Sequence, residues 1–210
     1  MTDNTLSDKI PQSPYINTTL VSNIMLNPNQ MDNKFYLHLK SNLNNKLVGK
    51  CYQNFGYIMT IYKIEDISEG VIEAEDPSCS AKMVVKFSCR LCIPPKNKYL
   101  ICKIDRMNKA LISAINGPIK VIITQDKINK EQFFTDTERN IRIKKGSTVL
   151  SPDMFVKVLI LSSTFGNYDT SILSIGLLHD LATEDEITLF KNDNSHFNKE
   201  ERTNNLSLLD

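Results

Sequence analysis

Cys89-Arg90-Leu91-Cys92 is a CxxC pair, and Cys79 and Cys102 bring four thiols into one stretch of the chain. Four thiolates are the donor set of a tetrahedral zinc site, and a CxxC pair by itself can do thiol–disulfide chemistry. Backbone geometry speaks against the first. If residues 82–93 are extended, Cys89 and Cys92 are an odd number of positions apart and leave opposite faces of the strand, so they cannot share an ion. No βαβ pattern surrounds the pair, as a thioredoxin-like centre requires. The thiols are expected to be buried or half-buried strand residues, and neither a metal nor another cofactor is predicted. His38, His179 and His196 stand alone, so no metal triad or Ser-His-Asp set can be drawn. Lys144-Lys145-Gly146-Ser147-Thr148 lacks the first glycine and the spacing of a phosphate loop. No group of residues points to catalysis, and the chain is predicted not to be an enzyme.

Binding chemistry is better represented. Lys98, Lys103, Arg106, Lys109 and Lys120 follow one another through a β-rich stretch, where cations can neutralise phosphates. They belong to a basic middle section, with 15 Lys or Arg against 5 Asp or Glu between Lys82 and Lys145. Glu65 to Asp76 instead carries six carboxylates and no base, read as a solvated acidic edge, and the net charge of the 210 residues is only +1. A polycationic nucleic-acid coat and an acidic disordered chain are both excluded. Phe55-Gly56-Tyr57 offers a second kind of contact, two aromatic rings flanking a residue where backbone can approach closely. The two rings share parity, so both could equally face a core.

The elements that must position these residues fall into two groups. Residues 1–14 read as a flexible leader without a signal-peptide apolar stretch, and no run approaches the ~18 apolar residues of a membrane span. An odd number of cysteines without a secretion signal suggests reduced thiols inside a cell. Tyr15 to Leu26 is β-branched and partly alternating, a strand. Asp32 can cap a helix carrying Phe35, Leu39, Leu43 and Leu47 on one stripe, with Gly49 to end it. Strands follow at Phe55 to Ile64, Gly70 to Ile72 and Lys82 to Ile93, and Pro94-Pro95 marks the boundary. Beyond it come five strands: Tyr99 to Ile104, Ala110 to Ile115, Ile119 to Thr124, Phe155 to Leu161 and Ser171 to Leu178. Turns at Asn116-Gly117-Pro118 and Phe165 to Asp169 separate some of them. Five short strands in this length suit an OB-type barrel, which binds single strands across its second and third strands. The predicted fold class is α+β: an antiparallel sheet plus one helix over 15–94, then an all-β barrel over 95–189. A surface excursion at 129–147 and a disordered tail at 190–210 complete the chain.

Gly49-Lys50-Cys51-Tyr52-Gln53-Asn54-Phe55-Gly56-Tyr57-Ile58 and Asp66-Ile67-Ser68-Glu69-Gly70-Val71-Ile72 together resemble the ribonucleoprotein-like tip domain of the stalk subunit of multisubunit RNA polymerases. That family includes the seventh subunit of eukaryotic RNA polymerase II and its archaeal counterpart. The second half is similar too, from Val85-Lys86-Phe87 through Pro94-Pro95 and Asn116-Gly117-Pro118 to Leu173-Ser174-Ile175-Gly176-Leu177-Leu178. The resemblance spans residues 15–180 in order.

It implies a non-catalytic subunit of a DNA-directed RNA polymerase acting in transcription, docked to the core near the clamp. Gly49, Cys51, Phe55, Gly56 and Tyr57 are the expected docking residues. The implied partners are the polymerase core subunits, a smaller helical stalk partner of the fourth-subunit type, and nascent single-stranded RNA. RNA contact is expected at Lys98, Lys103, Arg106, Lys109 and Lys120. Several relatives place an aromatic residue on the second and third barrel strands where this chain has Ile112 and Ile122, so RNA binding is expected to be mainly electrostatic. The implied location is the nucleus of a cell, or the virion or cytoplasmic factory of a large DNA virus. The alternative is a free-standing OB-fold protein that binds single-stranded RNA in translation or RNA decay.

Overall fold

Four isoleucines at intervals of three, Ile58, Ile61, Ile64 and Ile67, do not fit the two-residue period of a strand, yet all lie in one strand, β3 (Gly56–Ile67). The computed structural model describes residues 10–108, 111–130, 132–135, 141–143 and 149–194. Three bulges reconcile β3 with its neighbour β5 (Ala81–Cys92). Ile58, Ile61, Ile64 and Ile67 sit opposite Leu91, Cys89, Phe87 and Val85, and one extra residue is inserted at each shift. Every isoleucine thereby stays on the face that β5 buries at its ordinary alternate positions.

The chain divides into two units, Tyr15–Ile93 with Gly166–Thr170, and Pro94–Phe165 with the segments before Tyr15 and after Thr170. In the first unit β1 (Tyr15–Leu26), β5, β3 and β2 (Lys50–Tyr52) form an antiparallel sheet in that order, and short β4 (Val71–Ile72) extends it on β5. Helix α1 (Phe35–Leu47) packs Leu39, Leu43 and Leu47 into the core. Burying each leucine contributes about 1.5–3 kcal/mol. Phe35, expected on the same stripe, is the first helical residue and remains 41% exposed. Asp32 does not cap the helix itself. Its carboxylate accepts the Lys34 N–H at 2.8 Å, and the helix begins at the next residue.

β1 is an edge strand, and its outer carbonyls are occupied by side chains. Tyr52 Oη donates to Val21 O (2.9 Å), Lys46 Nζ to Asn23 O (2.6 Å) and Asn42 Nδ2 to Met25 O (3.0 Å). At the other edge, Cys51 N–H donates to Asp169 O and Tyr168 N–H to Cys51 O, both at 2.7 Å. Gly166–Thr170, which overlaps the turn expected at Phe165 to Asp169 in the barrel, is thus bound into the first unit by backbone hydrogen bonds.

The second unit is a closed five-stranded barrel of β6 (Tyr99–Met107), β7 (Leu111–Asn116), β8 (Ile119–Thr124), β11 (Phe155–Thr164) and β12 (Ile172–Leu181). β12 runs parallel to β8 and antiparallel to β11, and β11 closes onto β6. This is the strand order of an OB barrel. Alternate residues fill its interior, among them Ile112, Ala114, Val121, Ile123, Val158 and Ile160. The excursion between β8 and β11 contains a ladder of β9 (Phe133–Thr135) and β10 (Ile141–Ile143), with Phe133 buried. The fragment Lys144 to Thr148 lies outside the described residues, as do His196 and residues 1–9 and 195–210.

Residues 184–194 form a helix, α2, so the described start of the expected unfolded tail is ordered. A reciprocal cap begins it: Thr183 N–H donates to Glu186 Oε2 (3.0 Å) and Glu186 N–H to Thr183 Oγ1 (3.4 Å). Glu186 also pairs with Lys157 at a largely buried position, and Phe190 meets Phe155 edge to face at 5.2 Å. Polar composition concealed these anchors.

Gly176 faces the barrel interior, where an added Cβ would collide with Val158 Cγ1 and stand 2.8 Å from Val121 Cγ1. Both neighbours are stiff β-branched side chains. Gly176→Ala is expected to lower stability by about 1–3 kcal/mol in a denaturant titration, the range for an overpacked core.

Candidate docking hairpin and nucleic-acid interface

β2 and β3 form a hairpin in which Lys50, Cys51 and Tyr52 face Ile58, Tyr57 and Gly56. Its tip is Gln53, Asn54 and Phe55, with Gln53 at φ 47° and Gly56 at φ 134°. Only glycine adopts the latter conformation without strain. A Cβ on Gly56 would also lie 2.7 Å from the Cys92 carbonyl oxygen, so the hairpin backbone rests directly on β5. Lys50 Nζ donates to Asn45 O (3.1 Å) in the last turn of α1, tying the hairpin base to the end of the helix.

The five expected docking residues separate by burial. Cys51 and Gly56 are buried, Tyr57 is 8% exposed, and Phe55 at the tip is 46% exposed. Gly49, at φ 79°, follows the helix cap as a C-terminal glycine does. Phe55 stacks on Tyr52, ring centroids 6.1 Å apart and planes 24° apart, and Tyr52 is held in the core by its bond to Val21. The equal parity of Phe55 and Tyr57 does not give them equal surroundings, because the turn lies between Phe55 and the strand. Tyr52, absent from the expected set, is the support that orients the exposed ring.

On the barrel, two cross-strand rows organise the outer face of β6, β7, β8 and β12. One is Lys103, Ile115, Lys120 and Leu173, and the other is Arg106, Ser113, Ile122 and Ile175. Lys103 and Lys120 are two strands apart, about 10 Å. Lys103 bonds Asp153 at 2.7 Å and Arg106 approaches Asp105 at 3.7 Å, so both cations have a local counter-charge. Lys98 precedes β6, where its carbonyl accepts from Ile160 N–H of β11, roughly 16 Å along the strand from Lys103. Lys109 lies outside the described residues. The structure therefore brings together Lys103, Arg106 and Lys120. One expectation needs correction: Ile112 is 1% exposed and points into the barrel, so it is no surface stacking position. Ile122, opposite Ser113, is the outward one of the pair.

Residues 22–77 match the family described as the SHS2 domain found in the N terminus of Rpb7p/Rpc25p/MJ0397. A putative DNA-directed RNA polymerase subunit of Acanthamoeba polyphaga mimivirus is 32% identical over 182 residues, covering 87% of this chain and 90% of that protein. The chain belongs to the Rpb7 family of DNA-directed RNA polymerase subunits. Subunit RPB7 of Glycine max RNA polymerase II is 24% identical and that of Arabidopsis thaliana 23%, each covering 79% of this chain and 93% of the relative.

In this Rpb7-type chain the cysteines occupy distinct places. Cys89 belongs to the core beneath α1, Cys92 is buried outside that cluster, and Cys102 is buried in the barrel. Cys79, expected to be buried or half-buried, is exposed in a turn with φ 49°. Among the described residues no three His, Cys, Asp or Glu side chains gather as a metal site, and no helix is long and apolar enough to cross a membrane. Burial pushes the Cys89 thiol up to about 11. Burial and then the Asp169 charge push Cys51 to about 11. Cys92 and Cys102 are raised by burial above all. Thiols held protonated and buried are inert to electrophiles. A disulfide reagent at pH 8 should therefore modify one thiol rapidly in the native protein, Cys79, and the other four only in denaturant. Rapid modification of Cys51 or Cys92, read by peptide mass mapping, would contradict this structure.

Proposed function

We propose that this chain is a non-catalytic polymerase subunit that anchors to the enzyme core through the β2–β3 hairpin and offers its barrel to emerging transcript. The observation that carries the reading is Phe55, a ring exposed at a hairpin tip and pre-oriented by stacking on Tyr52, in a chain similar to Rpb7-type subunits over most of its length. A rigid aromatic residue loses little conformational freedom on entering a pocket and makes an effective anchor. Docking is to core subunits near the clamp, and a smaller helical protein of the fourth-subunit type completes the stalk. The setting is intracellular: a nucleus, or a virion or viral factory, in keeping with relatives from plants and from a giant virus.

Affinity purification of the tagged protein from its native source tests the docking. Large polymerase subunits should be recovered with the unaltered chain, and Phe55→Ala should reduce that recovery at least tenfold, the loss of a hot-spot side chain worth about 2 kcal/mol. Its melting temperature should hardly change, because the ring lies outside the core. Recovery of no large subunit by the unaltered protein would refute the reading.

The barrel contact uses Lys103, Arg106 and Lys120, with Lys98 and Lys109 as flanking charges. Each phosphate contact on a single strand contributes about 0.7 to the slope of log K against log salt. Replacing Lys103, Arg106 and Lys120 together with alanine should weaken single-stranded RNA binding and flatten that slope by about 2. Unchanged affinity and slope would remove this face from the RNA path.

A further inference from the structure

We propose that the cleft between residues 11–14 and helix α2 is a docking pocket for a neighbouring polypeptide, which it takes by an apolar side chain next to an arginine. The pocket lies within the second unit and involves neither the β2–β3 hairpin nor the cationic rows of the barrel.

The cavity measures about 250 Å³. Its floor is Leu100 and Ile101 of β6 and Asn116 at the end of β7, all buried. On one side stand Pro11 and Pro14, in a segment fixed to the barrel by Gln12 N–H, which donates to Tyr99 O (2.9 Å). On the other side α2 lines the cavity with Glu186, Leu189, Phe190 and Asp193, positions i, i+3, i+4 and i+7 of one helix face. Two of these hold the helix on the barrel, Glu186 through Lys157 and Phe190 through Phe155, which leaves Leu189 and Asp193 to meet a ligand. Both walls lie outside residues 15–180, the span of the family resemblance.

Polar groups of the floor and of the helix anchor are already satisfied. Asn116 Nδ2 donates to Ile101 O (2.7 Å), and Asn116 Oδ1 accepts from Asn194 Nδ2 (3.4 Å). Glu186 is neutralised by Lys157 and accepts the Thr183 N–H. Asp193 differs: half-buried, it has no hydrogen bond or ion pair among the described residues. One helical turn away, Leu189 is 63% exposed. An apolar side chain left in water beside an uncommitted carboxylate suits a ligand that brings an apolar group and a cation together. Pockets for small molecules span about 300–1,000 Å³, so this cavity suits one or two side chains rather than a whole cofactor. The Asp193 charge repels phosphates, which disfavours RNA and nucleotides as occupants. Arginine suits the cavity better than lysine, because a guanidinium is flat and weakly hydrated and lies against apolar walls while it pairs with a carboxylate.

The test is NMR titration of the isotope-labelled full chain with the capped dipeptide acetyl-Leu-Arg-amide, and with acetyl-Leu-Glu-amide as the control. The arginine peptide should give saturable shifts confined to amides around the cavity, and it should bind about two- to fivefold more tightly than the glutamate peptide. Asp193→Asn should remove that preference, and Asp193→Lys should reverse it. Leu189→Ser, at an exposed position, should weaken both peptides alike. All three variants should keep the melting temperature of the unaltered chain. No saturable binding of the arginine peptide, shifts only away from the cavity, or a preference that survives Asp193→Asn would overturn the proposal. Shifts at the cavity on raising the protein concentration without peptide would do so too, by identifying a second copy of the chain as the occupant.

Discussion

Backbone register between β3 and β5 governs the first unit. β3 advances three residues for every two of β5, and each of its three bulges releases one residue from the ladder. Were β3 regular, a strict two-residue period would turn Ile61 and Ile67 to the face opposite Ile58 and Ile64, and the core beneath α1 could not close. With the bulges, all four isoleucines keep the core face, Ile58 and Ile61 buried and Ile64 and Ile67 packed against the core, while Met59, Tyr62 and Glu65 are the inserted residues. The same register brings Gly56 against the Cys92 carbonyl and sends the chain into a tight tip at Phe55.

Protection of sheet edges is a second theme. An unpaired edge invites pairing with another chain, and here both edges are occupied by the protein's own groups. Tyr52, Lys46 and Asn42 cover carbonyls of β1, and the backbone of Tyr168 and Asp169 pairs with Cys51 of β2. Tyr52 does two things at once, since its hydroxyl closes the β1 edge and its ring carries Phe55. Stability and the orientation of the exposed ring are therefore coupled through one side chain. The barrel has no such need, because closure of β11 onto β6 removes its edges.

The barrel surface is electrostatically moderate. Lys103 and Arg106 have carboxylates beside them, and the outward positions on β7 and β8 include Ser113, Ile115, Lys120 and Ile122, none of them aromatic. Exposed rings occur elsewhere, among them Phe55 and Tyr62 in the first unit and Phe134 on the excursion of the second.

Much of the element order was legible from short-range signals. β1 has the expected bounds because its alternation is plain, and β8 because Gly117-Pro118 turns the chain ahead of a β-branched run; α1 was legible as a helix because Leu39, Leu43 and Leu47 keep a four-residue spacing, although it starts after Lys34 and not at an Asp32 cap. The family resemblance rested on motifs of the same local kind. The α2 cap was also written locally, in Thr183 and Glu186, but was lost among polar neighbours. What local pattern could not decide was which face a residue serves once strands pair. Ile112 and Ile122 look alike in the chain, yet one fills the barrel and the other lines its surface. Phe55 and Tyr57 share parity but part at a turn, and Gly166–Thr170 looks like any loop until it meets Cys51. Propensity, capping and turn chemistry act over a few residues and can be read along the sequence. Register, bulges and edge pairing are set by partners distant in the chain, so only the tertiary structure decided them.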